Sequence, residues 1–190
     1  MRIGLFGGTF DPVHRAHLIV AREAADEFEL DEVWFIPAAH PPHKSGTNTP
    51  YAHRMRMVEL ACQEDSRFRA SRMEEGTEKS YSFYTIEKAR AMAPDAQFFF
   101  LIGADAFAEI DTWHRASEVI TMVEFIVVTR PGHEYATPPG ARVHRLESLA
   151  LHVSSSEVRR KLSLGLPATE LPVPVRAYIQ DHRLYTPQLQ

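Results

Sequence analysis

Two histidines three residues apart, His14 and His17, follow a glycine pair near the start of the chain. They come after Gly7-Gly8-Thr-Phe-Asp-Pro-Val, which separates a short apolar run, residues 3 to 6, from a stretch with helical spacing of apolar residues. This order predicts a strand, a glycine turn and a helix that carries both histidines near its first turn. Free backbone N–H groups and the positive end of the helix dipole then meet at one loop, where a phosphate group can bind. Each histidine can donate a hydrogen bond to a phosphate oxygen, and each adds positive charge when protonated.

A second anion site is predicted later in the chain, at Ser154-Ser155-Ser156. Glu157 stands three residues after Ser154, which is the spacing of a capping box at a helix start. Such a cap is commonplace by itself. With Arg159 one turn further on, the same helix start becomes a second phosphate site made of side chains and backbone N–H groups.

Apolar runs and helical patterns alternate along the chain, and this alternation sets the fold. Strands are expected at residues 3–6, 33–36, 68–73, 97–102, 123–129 and 148–153. Helices are expected from about His17, at residues 51–64, from about Ser82, from Ser154 and at residues 172–182. The pattern predicts an α/β fold, a Rossmann-like open parallel sheet with helices on both faces. We expect a single domain over residues 1–190, with a core over about 1–153 and a small helical part over about 154–190.

Composition narrows the classes of protein that fit. The chain has 190 residues, is 44% hydrophobic and carries a formal net charge of −4, which argues against a nucleic-acid binder with a broad basic surface. A single cysteine, Cys62, allows no internal disulfide and falls on an apolar helical stripe, so buried filler and a cytoplasmic location are expected. No signal peptide is evident, and no apolar run approaches a membrane span.

Several segments together resemble a known family. They are Gly7-Gly8-Thr9-Phe10-Asp11-Pro12-Val13-His14 with His17, Pro41-Pro42-His43-Lys44, Ser80-Tyr81-Ser82 with Thr85-Ile86, Gly103-Ala104-Asp105 followed by Trp113, and Val153-Ser154-Ser155-Ser156-Glu157-Val158-Arg159. The set resembles the nucleotidyltransferases with a T/HxGH motif, and among them the bacterial nicotinate-mononucleotide adenylyltransferases. Ala16 stands where that family usually has glycine. The resemblance spans residue 3 to about residue 185.

The resemblance implies an activity, in which the adenylyl group of ATP passes to nicotinate mononucleotide, giving nicotinate adenine dinucleotide and pyrophosphate in NAD synthesis. It implies catalytic roles for His14, His17, Lys44 and Arg159. It implies ATP binding by Gly7, Gly8, Thr9, Phe10, His14, His17, Gly103, Asp105, Ser154, Ser155, Ser156 and Arg159. It implies binding of the mononucleotide by Lys44, Ser82, Thr85 and Trp113, with the Trp113 ring against the pyridine. Mg²⁺ is expected to arrive with ATP, the partners are ATP and nicotinate mononucleotide, and a homo-oligomer is allowed.

Other readings of the sequence remain open. The same chemistry could act on nicotinamide mononucleotide or phosphopantetheine, or the protein could bind a nucleotide without turnover. A metal-dependent hydrolase is a third class, because five histidines fall between residues 14 and 53: His14, His17, His40, His43 and His53. No spaced carboxylate or cysteine accompanies them, so we predict no metal site made of these side chains.

Overall fold

A computed structural model describes residues 1–40 and 49–186 of the chain. In this part the strands are β1 (Arg2–Gly8), β2 (Glu32–Pro37), β3 (Phe68–Ala70), β4 (Gln97–Gly103), β5 (Glu124–Thr129) and β6 (Arg142–Glu147). The α-helices are α1 (Arg15–Glu27), α2 (Tyr51–Ala61), α3 (Ser82–Met92), α4 (Ala104–Ala108), α5 (Ala116–Met122), α6 (Ser155–Ser163) and α7 (Val173–Asp181). Short 3₁₀ turns lie at Cys62–Glu64, Ile110–Thr112 and Leu149–His152.

The six strands form one parallel sheet in the order β3-β2-β1-β4-β5-β6. β1 lies between β2 and β4, and Leu5 is paired with Trp34 on one side and Phe100 on the other. The connections after β1 and after β4 therefore leave the sheet in opposite directions. Ligands of open α/β sheets bind at such a switch point, beside the carboxyl ends of the strands.

Helices cover both faces of the sheet, as shown by the side chains of β4, which alternate between the two faces. Phe98, Phe100 and Ile102 pack in one buried cluster with residues of α3 and α5. Phe99 and Leu101 pack in the other, with residues of α1, α2, α6 and α7. A strand with both faces buried has the continuous apolar sequence that identified this one. The predicted fold, an open parallel sheet between two helical layers, is confirmed.

The C-terminal helices share the core of the sheet. Val158 of α6 and Val175 and Ile179 of α7 are fully or almost fully buried, and they belong to the same cluster as Phe99 and Leu101. This part of the chain thus packs directly on the Rossmann-like layer.

The last strand differs from the prediction. The sixth strand was expected at residues 148–153, but that segment holds the 3₁₀ turn Leu149–His152, and the strand is Arg142–Glu147. β6 lies at the edge of the sheet and is mostly polar, and of its residues only Leu146 is fully buried. An edge strand of this kind has no continuous apolar run to reveal it.

The expected turn at Gly7 and Gly8 is also wrong. Both residues belong to β1, and the positive φ, 48°, lies at Phe10. The Phe10 ring folds back over Gly8, where an added Cβ would lie only 2.9 Å from its Cζ atom. Gly8 is therefore needed for the close approach of this ring and not for a turn.

Two smaller expectations concern Cys62 and the membrane. Cys62 is buried, and burial raises the pKa of its thiol to about 12, which makes it an inert core residue. No helix in residues 1–40 and 49–186 combines the length and the apolar character needed to cross a bilayer.

Candidate active site

The start of α1 carries the two histidines in a fixed relation. His14 is the N-cap residue and His17 lies in the first turn, with the two rings stacked at a centroid distance of 3.7 Å. The backbone N–H of His14 donates to Nδ1 of His17 over 3.1 Å. Because Nδ1 accepts this bond, the neutral ring carries its proton on Nε2. The Phe10 ring packs against His17 edge-on, 5.0 Å between centroids, and fixes the orientation of the imidazole.

His14 is buried rather than exposed to the loop, with 3% of its surface accessible. Burial lowers the pKa of its imidazole to about 4, and the nearby Glu170 opposes this effect only in part. The side chain is therefore neutral at pH 7. The positive charge that a protonated histidine would add is thus absent at His14, because a desolvated site disfavours the charged ring.

The start of α6 is bound directly to the loop between β1 and α1. Arg159 Nη1 donates to the Asp11 carbonyl over 2.7 Å, and the Ser155 hydroxyl donates to the Pro12 carbonyl over 3.0 Å. The two predicted anion sites are thus parts of one surface. Ser154 caps the helix as predicted, since its hydroxyl oxygen accepts from the Glu157 N–H over 3.2 Å.

The three serine hydroxyls at this helix start already have local partners. Ser154 caps α6, Ser155 bonds to Pro12, and Ser156 accepts from Arg159 Nη2 over 3.4 Å. The groups left for an anion are the first backbone N–H groups of α6, which have no partner within a helix.

A cleft of about 220 Å³ opens beside the carboxyl ends of β1, β2 and β4. Among its lining residues are Gly7, Gly8, Ala38, Glu74, Ser82, Thr85, Gly103 and Trp113. The Trp113 ring is half-buried and meets Phe100 edge-on, with 5.9 Å between the centroids. An indole face supported in this way suits a flat aromatic ligand.

The α3 start contributes differently from what was predicted. The Thr85 side chain is buried, and its hydroxyl donates to a Glu74 carboxyl oxygen over 2.6 Å. The backbone N–H groups of Tyr84 and Thr85 both point to the Tyr81 carbonyl. The first N–H groups of the helix, at Ser82 and Phe83, have no acceptor within the helix.

An adjoining pocket of about 410 Å³ shares Gly103 and Ala106 with the cleft and follows β4 and β5 outward. Asp105 in the first turn of α4, Thr129 at the end of β5, Arg130 and His133 line it. Two adjoining cavities therefore lie at the switch point of the sheet.

The predicted site residues that the structure describes thus form two spatial clusters. The structure brings together the residues of the cleft and pocket, and those of the α1 and α6 starts. The side chain of Phe10 is buried in the core, so only the backbone of this residue could contact ATP. Lys44 and His43 lie outside the described residues.

The other histidines of the N-terminal third lie in different surroundings. His40 Nδ1 bonds to the Thr77 carbonyl and His53 Nδ1 to the Tyr178 hydroxyl, both over 2.9 Å. Within residues 1–40 and 49–186, no group of three or more histidine, cysteine or acidic side chains is placed to hold a metal ion.

Four residues of the site surroundings were missed from the sequence: Asp11, Arg54, Glu74 and Tyr185. The Tyr185 hydroxyl donates to the buried Asp11 carboxyl group over 2.5 Å, and Glu74 holds the Thr85 hydroxyl. Arg54 is fully buried and donates to backbone carbonyls of three segments. Of these four residues, only Arg54 could have been singled out from the sequence, because it is a charged residue at an apolar position in the helical pattern of α2.

Comparison with known proteins fits this geometry. Residues 5–161 match the cytidylyltransferase-like family model. A protein of Solibacter usitatus named probable nicotinate-nucleotide adenylyltransferase is 57% identical over 97% of this chain and 100% of its own length. The chain belongs to the nicotinate-nucleotide adenylyltransferase family. A second member of the family, from Exiguobacterium sibiricum, is 43% identical over 97% of this chain and 99% of its own.

Solved structures of nicotinate-nucleotide adenylyltransferases have the same fold. The Plasmodium falciparum nicotinic acid mononucleotide adenylyltransferase, complexed with NaAD, superposes with a TM-score of 0.81 at 20% identity, covering 97% of each chain. The same protein complexed with APC gives a TM-score of 0.79 at 19% identity, covering 97% of this chain and 96% of that one. This likeness concerns the fold.

Proposed function

We propose that the protein transfers the adenylyl group of ATP to nicotinate mononucleotide, releasing pyrophosphate and forming nicotinate adenine dinucleotide. The observation that carries the proposal is the contact of α6 with the β1–α1 loop, through Arg159 and Ser155. The starts of α1 and α6 meet at one loop there, and a triphosphate is long enough to contact both. Family membership over nearly the whole chain supports the same conclusion.

The reaction needs alignment more than acid–base chemistry. A phosphate monoester is anionic near neutral pH, so the mononucleotide phosphate can attack the α-phosphorus of ATP without a general base. Charge develops on the transferring and leaving oxygens, and fixed donors stabilise it. His17 donates from Nε2 to the α-phosphate, His14 shapes the turn and acts as a neutral group, and Arg159 with the α6 start binds the leaving pyrophosphate.

Other predicted site residues bind the remaining parts of the two substrates. We place the adenosine of ATP in the pocket beside Gly103 and Asp105, and Lys44 at the acceptor phosphate. Mg²⁺ binds the ATP phosphates and neutralises part of their charge.

Selection of the acceptor depends on a carboxylate. Nicotinate and nicotinamide differ only in a carboxylate against a neutral amide, so stacking on Trp113 stabilises both. The N–H groups of Ser82 and Phe83 at the α3 start favour the anion. A hydrogen bond to a charged group contributes about 1.5–3 kcal/mol, so two of them give roughly a 10²-fold or greater preference for the acid.

The test is pyrophosphate release from ATP and Mg²⁺ with three acceptors, nicotinate mononucleotide, nicotinamide mononucleotide and phosphopantetheine, with the products identified by mass. We expect nicotinate adenine dinucleotide as the main product and the highest kcat/KM for nicotinate mononucleotide. A faster reaction with either other acceptor would overturn the assignment of substrate. ATP binding without pyrophosphate release for any acceptor would favour a nucleotide-binding protein without turnover.

A further inference from the structure

Arg54 is the largest fully buried side chain in residues 1–40 and 49–186, with 1% of its surface accessible, and it lies in the first turn of α2. Its guanidinium donates to four backbone carbonyls. Nη1 reaches the carbonyls of Thr9 and Ala38, each over 2.8 Å, Nε reaches that of Thr49 over 3.1 Å and Nη2 that of Ala39 over 3.4 Å. All four of these acceptors are neutral carbonyls, so the backbone of the protein solvates the charge.

These carbonyls belong to separate parts of the site. Thr9 begins the loop between β1 and α1, two residues before Asp11, whose carbonyl binds Arg159. Ala38 and Ala39 directly follow β2, and Ala38 lines the cleft that contains Trp113. One nitrogen, Nη1, therefore fixes the distance between the loop at the histidines and the wall of the cleft.

The segment after β2 is fixed from its other side as well. The Ala39 N–H donates to a Glu74 carboxyl oxygen over 3.4 Å, and Glu74 accepts from Thr85 over 2.6 Å. The Ala38 N–H donates to the Gly8 carbonyl over 2.8 Å. A displacement of the Arg54 guanidinium would thus be felt both at the end of β1 and at the cleft.

We propose that Arg54 is a positioning residue of the transfer reaction, whose guanidinium sets the β1–α1 loop and the wall of the acceptor cleft at the separation that in-line attack requires. The inference rests on the proposed function. Each substrate still finds its own contacts when Arg54 is replaced, but the attacking oxygen and the α-phosphorus lose their alignment. Misplacement by about 1 Å lowers a rate by roughly 10²-fold, so the loss appears in kcat and not in KM.

The experiment compares Arg54→Met, Arg54→Lys and a matched control, Arg56→Met. Arg56 lies on the same helix, is half-exposed and pairs with Glu59 over 3.1 Å. We expect kcat to fall about 10²-fold in Arg54→Met, with both KM values within about threefold of those of the unmodified protein. Arg54→Lys should recover about tenfold of that loss, since an ammonium keeps the charge but cannot span four carbonyls. Arg56→Met should leave kcat and KM unchanged.

Rates are expressed per molecule that binds ATP, counted by calorimetric titration, so that a smaller folded fraction does not appear as a lower kcat. If Arg54→Met fails to fold, the kcat and KM of Arg54→Lys test the inference. A kcat within twofold of the unmodified protein in the folded variants, or a change confined to KM, would overturn the inference.

Amide hydrogen exchange supplies a readout that does not depend on activity. We expect exchange about tenfold faster at residues 8–13 and at Ala38 and Ala39 in the Arg54 variants than in Arg56→Met. Unchanged exchange at these amides would overturn the positioning role even if the rate falls. An unmodified protein that releases no pyrophosphate would instead reject the proposed function, and the exchange result would still decide whether Arg54 positions the two segments.

Discussion

His17 is the residue in which the local geometry bears most directly on the proposed chemistry. Its ring is fixed by the His14 N–H and by the edge of Phe10, and its Nε2–H is the predicted donor to the transferring phosphate. We expect His17→Ala to lower kcat by about 10²–10³-fold with a smaller effect on KM, as loss of a preorganised transition-state donor does. Pyrophosphate release under steady-state conditions measures both constants.

The control for that variant is His152→Ala, an exposed histidine in the 3₁₀ turn before α6, for which we expect unchanged kinetics. An equal loss of activity in both variants, or an unchanged kcat in His17→Ala, would remove His17 from the catalytic role.

The low pKa of His14 predicts that the stability of the protein depends on pH. Its pKa is about 4 in the folded protein against an ordinary value of 6.5, so the unfolded chain binds the proton more tightly. The neutral His14 ring makes its full contribution to the free energy of unfolding above pH 6.5. This contribution, about 3 kcal/mol in total, is lost as the pH falls towards 4. In His14→Gln the free energy of unfolding should fall less steeply over this interval, as urea titrations at several pH values would measure.

His133→Gln serves as the comparison, because His133 is exposed in the loop before β6 and its substitution should leave the slope as it is. The argument for His14 fails if His14→Gln shows the same pH slope as the unmodified protein.

At the scale of elements, the end of β1 depends on the absence of a side chain at Gly8. A Cβ there would lie 2.9 to 3.2 Å from three atoms of the Phe10 ring, whereas one at Gly7 would meet only Phe100 at 3.9 Å. We expect Gly8→Ala to lower the free energy of unfolding by about 1–3 kcal/mol because the buried ring must move. Gly7→Ala should change it by less than about 1 kcal/mol. Equal effects of the two substitutions in urea unfolding would contradict this account of the packing.

The elements also show how far the sequence could predict the structure. The central strands were predictable because both of their faces are buried, which gives continuous apolar runs such as Phe98 to Ile102. The cap at Ser154 was predictable because a serine followed three residues later by glutamate has a local cause. β6 was not, since its edge position needs no apolar run.

Parts of the site were unpredictable for a related reason. Arg54 bonds to Thr9, Ala38 and Thr49, and Glu74 bonds to Ala39 and Thr85. Thr9 and Ala38 lie 45 and 16 residues from Arg54, and Ala39 lies 35 residues from Glu74, so no spacing rule connects these partners. The low pKa of His14 likewise depends on the fold, because burial of the ring lowers it and Glu170, which is distant in sequence, opposes this only in part.

At the scale of the whole molecule, the two ends of the chain meet at the candidate site. The Tyr185 hydroxyl donates to Asp11 over 2.5 Å, and burial raises the pKa of this tyrosine. Asp11 is itself buried, with 3% of its surface accessible. Tyr185→Phe removes a donor to a buried carboxyl group, which costs about 1–3 kcal/mol. We expect a free energy of unfolding lower by that amount, measured in urea.

Tyr84→Phe is the matched control, because the Tyr84 side chain is exposed on α3 and its hydroxyl should add little to stability. If Tyr185→Phe is as stable as the unmodified protein, the contact between the C-terminal segment and Asp11 does not stabilise the fold.

The central position of β1 has a consequence for biosynthesis. β1 leaves the ribosome long before β4, yet β4 is one of its two neighbours, with Arg2 paired to Gln97. At a synthesis rate of about 5–20 residues per second, the roughly 95 residues between these partners take on the order of 5–20 s to appear. During that time β1 can pair only with β2, and its other edge, with the apolar side chains of Ile3 and Leu5 beside it, stays open to other nascent chains. The order of strands that creates the switch point therefore also makes the newly synthesised chain prone to aggregation until β4 is made.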